Sequence, residues 1–259
     1  MTHLYYDSNP WILPAVMFII LGLAIELPYR FKGLLTRFLT NIDPINVLQA
    51  ALLTLSAFVL SLSFSQAAAR YDSRRALVVA EANAIGRTWL RADQLDQTHS
   101  RRFRRILVDD VSEALATYES SNDPQVSRQT IELADHTQNE LWSIASSALR
   151  ERGTPGLSLL TLSLNDMIDI IAQARQSLAS HVPTAIITLT LCLVTLAALS
   201  LGIRFALGGS RPVIMSAIYV FAYVIVISMM IDYDRPVTGF VTVSLSPITQ
   251  QLQSMQRLR

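Results

Sequence analysis

The sequence predicts an all-α integral membrane protein: a bundle of four membrane-spanning helices with a helical extramembrane stalk domain inserted between spans 2 and 3. Three observations support this fold class. Hydrophobic residues make up 51% of the 259 residues and charged residues only 16%, whereas a soluble domain usually carries about 25% charged residues. Four apolar segments are long enough to cross a bilayer. A much more polar stretch separates the second segment from the third.

The four apolar segments are the predicted spans: 11–27, 45–66, 184–203 and 212–231. The first has neither the basic start nor the small-residue cleavage site of a signal peptide, so we expect it to remain as a span. These limits divide the chain into four parts, which are spans 1 and 2 (1–69), the helical domain (70–182), spans 3 and 4 (183–231) and a C-terminal segment (232–259).

Span 2 continues past the membrane without a helix breaker, because no Gly or Pro occurs from Ile45 to Ile85. At 1.5 Å per residue, such a helix would be about 60 Å long, roughly twice the hydrocarbon thickness of a bilayer. The rest of the helical domain is rich in Ala, Leu, Arg, Gln and Glu, which favours helix. Turn residues at 122–124 and 152–156 predict the breaks between its helices.

The charges near the spans leave the orientation open. The short loops after spans 1 and 3 carry the basic residues that normally mark the cytoplasmic side: Arg30, Lys32, Arg37, Arg204 and Arg211. That count places the helical domain outside the cytoplasm. Arg70, Arg74 and Arg75, however, lie just beyond the opposite end of span 2, and their charges favour the reverse orientation.

The sequence shows no signature of an enzyme. Its histidines are scattered, and no Walker loop, GxGxxG or GxSxG motif occurs. The net charge of +1 gives no reason to expect nucleic acid. Cys192 is the only cysteine, so a disulfide within the chain is excluded. We therefore predict no catalytic residue, no metal ligand, no cofactor and no nucleic-acid partner.

Span 2 carries a polar stripe, formed by Thr54, Phe58, Ser61 and Ser65. Their spacing of i, i+4, i+7 and i+11 places them on one helix face, and Asp72 continues that face. Hydroxyls on one face of a span can line a wet pore or hydrogen-bond to a neighbouring helix. Both interpretations stay open. As pore-lining candidates these residues require several copies of the chain around one axis.

Glu81 and Asn83 lie among Ala, Val and Ile in the continuation of span 2. A carboxylate in such a setting needs a partner, so we expect Glu81 to meet an arginine of a neighbouring helix. Arg175 and Arg87 are the candidates. A direct role in binding a ligand or ion is the alternative.

Asp232 and Asp234 lie where span 4 ends, followed by Pro236 and Gly239, which predict a turn. Two carboxylates at a helix end could contribute oxygen ligands to calcium, although no recognisable loop supplies the others. The alternative is a structural cluster with Arg235 that fixes the turn.

Three stretches in this order resemble a bacterial membrane family labelled bestrophin-like, much of it of unknown function, and more distantly the bestrophin channels. The stretches are FSQAAARYDSRRALVVAEANAIGRTWLRAD (64–93), LNDMIDIIAQAR (164–175) and IDYDRPVTGFVTVSLSPI (231–248). The residues that carry the motifs are Arg70, Asp72, Arg75, Glu81, Asn83, Asp232, Asp234, Arg235 and Pro236.

Bestrophins are pentameric ion channels in which span 2 lines the pore and continues into the cytoplasm. The resemblance therefore implies a homo-oligomer, a pentamer, in the bacterial inner membrane, with membrane lipid and an inorganic ion as partners. Phe58, Ser61 and Ser65 would face the axis, and 70–92 would extend the conduit. The mixed Ser/Phe stripe departs from the bulky apolar neck of bestrophins, and the eukaryotic calcium clasp is not matched residue by residue.

A second hypothesis is a non-conducting scaffold or sensor whose helical stalk binds a partner. The basic cluster 101–105 would then serve as a docking surface or contact lipid headgroups. A transporter has less support, because no ionisable residue lies in the middle of a span.

Overall fold

The structure, a computed structural model, describes residues 11–38, 42–120, 124–235 and 240–258. This part of the chain contains helices and no strand, which confirms the all-α fold class. The helices are α1 (Ile12–Arg30), α2 (Lys32–Phe38), α3 (Asp43–Arg91), α4 (Gln97–Ser120), α5 (Pro124–Arg152), α6 (Pro155–Ala179), α7 (Thr184–Leu207), α8 (Val213–Asp234) and α9 (Ser246–Arg257). A single 3-10 turn, Ala92–Gln94, follows α3.

Helix α3 confirms the unbroken helix that the sequence predicts. It runs over 49 residues, which corresponds to about 73 Å at 1.5 Å per residue. It begins within two residues of the predicted start of span 2 and extends beyond Ile85 to Arg91.

In the described part of the chain, five helices are long and apolar enough to cross a membrane. Four of them contain the predicted spans, namely α1, α3, α7 and α8. The fifth is α6, which lies outside the four predicted spans, and its most apolar stretch has the lowest mean hydropathy of the five. Leu160, Leu164 and Met167 of α6 are fully buried in a core shared with α4 and α5, so packing accounts for this apolar face, whereas Leu159 and Leu162 on the other side are exposed.

Residues 1–71 and 181–242 form one compact unit, called here unit 1. Within it α1 packs against α7 and α8, around a core that includes Leu21, Val194 and Ile227. The contact between α1 and α7 is tight, because a side chain at Gly202 would collide with the backbone of Ile25. Unit 1 thus contains the four predicted spans and packs them as a helical bundle.

Residues 72–180 and 243–259 form a second compact unit, called here unit 2. Its core is built around Trp89, Phe103 and Leu141, to which α3, α4, α5 and α6 contribute, and α9 packs against α4. Thr88 and Ser163 join α3 to α6 by a buried hydrogen bond of 3.0 Å from the hydroxyl to the carbonyl oxygen. Unit 2 therefore has a hydrophobic core of its own.

Candidate pore-lining surface

The four pore-lining candidates lie on an exposed face of α3 in unit 1. Thr54, Ser61 and Ser65 are exposed, and Phe58 has 59% of its surface accessible. Thr54 Oγ1 donates to the carbonyl oxygen of Ala50 at 2.9 Å, and Ser61 Oγ donates to that of Phe58 at 2.9 Å. These two hydroxyls are therefore bound to their own helix.

The opposite face of α3 packs against the other spans through hydroxyls of the same type. Ser56 Oγ lies 2.9 Å from Tyr223 Oη, and Ser63 Oγ lies 3.0 Å from Thr190 Oγ1. Leu60, on the same side, is also buried. Within one chain the helix-packing role of hydroxyls in span 2 thus belongs to Ser56 and Ser63, and the predicted stripe stays exposed.

In the part of α3 that belongs to unit 2, residues at the same helical positions as the stripe are also exposed. Asp72, Val79, Asn83 and Leu90 fall within about 40° of the predicted stripe at 100° per residue. Asp72 and Asn83 are exposed, and Val79 and Leu90 are 44% and 63% exposed. The predicted continuation of the stripe through Asp72 is therefore exposed as well.

The basic group at 70–75 divides between surface and interior. Arg70 is half-buried and Arg75 is exposed, but Arg74 is only 3% exposed. Arg74 donates from Nε to the carbonyl oxygen of Ser177 at 3.2 Å and from Nη2 to that of Ser180 at 2.6 Å. Its charge thus caps the carboxyl end of α6.

Arg74 is not among the motif residues predicted from the sequence. The sequence does contain a pattern that predicts its burial: Arg74 lies seven residues after Ala67 and eleven after Ser63, which places it on the same, buried face of α3. The prediction considered only the spacing of hydroxyl residues, which pointed to the opposite face with Thr54, Ser61 and Ser65.

Glu81 lies on the buried side of α3, well beyond the predicted span, beside a small cavity of about 50 Å³ in unit 2. Asp110 of α4 and Arg175 of α6 line the same cavity. Burial raises the pKa of Glu81 to about 7, against the lowering effect of Arg175 and with a further increase from Asp110. Arg175 is the expected neighbour, but its ion pair, at 3.1 Å, is with Asp135.

Asp110 shares this environment. Burial raises its pKa to about 6, Arg175 opposes the increase and Glu113 adds to it. One guanidinium therefore faces two carboxyl groups that both hold protons at higher pH than usual. Asp110 could not be selected from the sequence, because only the packing of α4 on α3 brings it close to Glu81.

The two aspartates after span 4 fix backbone within unit 1. Asp232 accepts hydrogen bonds from the N–H of Phe240 at 2.9 Å and of Val241 at 2.8 Å. Asp234 is 1% exposed and accepts from the N–H of Val182 at 2.8 Å. The carboxylates thus hold the chain after α8 and the chain before α7.

Arg235 is also buried, with 3% of its surface accessible. Pro236, the last of the motif residues, lies outside the described residues. Among the described residues, no three His, Cys, Asp or Glu side chains are grouped so that they could hold a metal ion.

Comparison with known proteins gives matches only among solved structures; no family model and no curated protein matches the sequence. One variant structure of a bacterial bestrophin homologue from Klebsiella pneumoniae has a TM-score of 0.70 and 16% identity, covering 97% of this chain and 99% of that chain. A second variant has a TM-score of 0.71 and 14% identity, with coverage of 94% and 97%.

A third structure, described only as a membrane protein, has a TM-score of 0.67 and 15% identity, with coverage of 95% and 98%. Nearly the whole length of each chain is therefore superimposed, at low sequence identity. The protein is a multi-pass membrane protein with the fold of the bacterial bestrophin homologues.

Proposed function

We propose that this protein is an oligomeric ion channel in which copies of α3 surround a central pore. The observation that carries the proposal is the exposed face of α3 at Thr54, Phe58, Ser61 and Ser65. The other side of the same helix is packed into the bundle, so this face is available to line an axis. The shared fold and the resemblance to bestrophins support an assembly of several copies, a pentamer by that resemblance.

The side chains on this face suit a pore that conducts and closes. Hydroxyls of Thr54, Ser61 and Ser65 can hydrogen-bond to water and to partly hydrated ions. A ring of Phe58 side chains would form a hydrophobic constriction, which closes by excluding water. Asp72 is the first charged residue after the stripe on this face, so a ring of Asp72 carboxylates would favour cations at that end.

Cysteine accessibility tests whether this face meets water. In a Cys192→Ser background, we expect cysteine at Ser61 or Ser65 to react with a water-soluble thiol reagent in vesicles, and the reaction to block ion flux. Two matched controls are available. Ser63→Cys lies on the packed face and Leu196→Cys, at 47% exposure, lies on the outer side of α7, so both should stay unreactive.

The subunit arrangement tests the assembly. Mass photometry in nanodiscs, followed by particle imaging, should give a closed ring with α3 around the axis. A monomer, or a two-fold dimer without a central axis, would refute the channel. The non-conducting scaffold, with unit 2 as the partner-binding part, would then be the better hypothesis.

A further inference from the structure

Unit 2 has a polar cavity of about 580 Å³ beside the start of α4, remote in sequence from the candidate pore stripe. Its volume lies within the range of about 300–1,000 Å³ that is usual for small-ligand sites. The residues that matter for its chemistry are Asp93, Gln97, Ser100, Arg101, Arg104 and Arg105.

The cavity has an excess of positive charge. Arg101, Arg104 and Arg105 are spaced i, i+3 and i+4 on α4, so their side chains share one face. Asp93 is the one acidic residue in the lining, and it already pairs with Arg104 at 2.8 Å. Arg101 and Arg105 are exposed and form no ion pair with any residue in the described part of the chain.

Arg104 is held in place before any ligand arrives. Its Nη2 donates to Asp93 and, at 3.4 Å, to the carbonyl oxygen of Trp89. Its guanidinium also lies 5.0 Å from the centre of the Trp89 ring, a cation–π distance. A cation that is already ordered loses little entropy on binding an anion.

Arg101 and Arg105 lie four residues apart on α4, and like charges at this spacing repel each other and destabilise a helix slightly. A bound anion would remove that repulsion. The planar guanidinium group matches the oxygens of phosphate in a two-pronged contact, and Gln97 and Ser100 offer neutral hydrogen-bonding groups beside the arginines.

We propose that this basic cavity binds a compound with two or more phosphate groups. Three guanidinium groups against one engaged carboxylate fit a multivalent anion better than a single chloride or carboxylate. A soluble polyphosphate compound and a phosphoinositide headgroup share this chemistry, and the experiment separates the two sources.

Isothermal titration of inorganic pyrophosphate into the full chain, in nanodiscs of phosphatidylcholine, tests the site. We expect saturable binding that Arg101→Gln with Arg105→Gln weakens at least about 10-fold, because each removes a charged hydrogen-bond donor. Arg102→Gln is the matched control: it lies in the same run of arginines, but its side chain pairs with Glu140 at 2.7 Å. That variant should bind as the unchanged protein does.

A second arm replaces pyrophosphate by phosphatidylinositol bisphosphate in separate vesicles and measures co-sedimentation of the nanodiscs. Binding in this arm that depends on Arg101 and Arg105 supports the same site with a lipid source, whereas binding of pyrophosphate alone supports a soluble one. Absence of saturable binding in both arms overturns the proposal, as does an equal loss in the Arg102 control. If the double variant has a lowered Tm, the binding of pyrophosphate is measured with the single variants Arg101→Gln and Arg105→Gln instead.

Discussion

Replacing Glu81 by Gln should stabilise unit 2 at pH 8 and leave its stability nearly unchanged at pH 4.5. Burial is the main reason that the pKa of Glu81 rises from 4.5 to about 7, and the nearby Arg175 offsets only part of that effect. The folded state thus binds a proton that the unfolded state releases between these two pH values. Stability from this group is fully present below pH 4.5 and is lost as the pH rises to about 7.

The magnitude follows from the two pKa values. A pKa that moves from 4.5 to about 7, at about 1.4 kcal/mol per pH unit, corresponds to about 3.5 kcal/mol of stability. About 3 kcal/mol of this is lost between pH 4.5 and pH 8, because Glu81 is already half ionised in the unfolded chain at pH 4.5. Gln cannot ionise, so the variant avoids this loss. Asp110 keeps its own raised pKa of about 6, and a smaller decrease with pH therefore remains in the variant.

Hydrogen exchange with mass spectrometry measures the effect in the full chain. Peptides covering 157–167 report on the core of unit 2, after correction for the intrinsic pH dependence of exchange. Glu151→Gln is the control, because Glu151 is an exposed carboxylate on α5 that does not line the cavity beside Glu81. Equal protection of Glu81→Gln and the unchanged chain at pH 8 would refute the reasoning, as would protection in the unchanged chain that stays constant from pH 4.5 to 8.

Three further predictions concern packing and the candidate pore. Arg74→Ala removes both donors to the last carbonyls of α6 and should cost about 2–4 kcal/mol, seen as faster hydrogen exchange at that helix end. Gly202→Ala forces a methyl group onto the backbone of Ile25 and should lower the Tm in detergent, whereas Gly22→Ala, which has open space around it, should not. Phe58→Ala should raise the open probability in planar bilayers, because it removes the hydrophobic ring, and an unchanged gating curve would count against a constriction there.

The sequence was sufficient for the features that depend on local composition. Hydropathy located the spans in α1, α7 and α8, and the lack of Gly and Pro predicted an unbroken α3. Length and composition alone do not distinguish α6 from the four predicted spans, since a buried amphipathic helix and a weakly apolar span can have similar residues. Asp110 beside Glu81 is a contact between helices, which no local pattern reveals.

The hydroxyls of α3 show the same limit at the candidate site. Ser56 and Ser63 are chemically identical to Ser61 and Ser65, and periodicity assigns each pair to a face without saying which face is packed. Only the contacts with Tyr223 and Thr190 identify the packed one.

Ser65 is the position at which a lipid-facing and a water-facing stripe differ most. The hydroxyls of Thr54 and Ser61 are bonded to carbonyls of their own helix, so either could face lipid at little cost. Ser65 is exposed, and its hydroxyl forms no hydrogen bond with a residue in the described part of the chain. An unsatisfied hydroxyl is costly in hydrocarbon and costs nothing in water. The reactivity of Ser65→Cys relative to Leu196→Cys is therefore the measurement that separates a water-filled axis from a lipid-facing surface most directly.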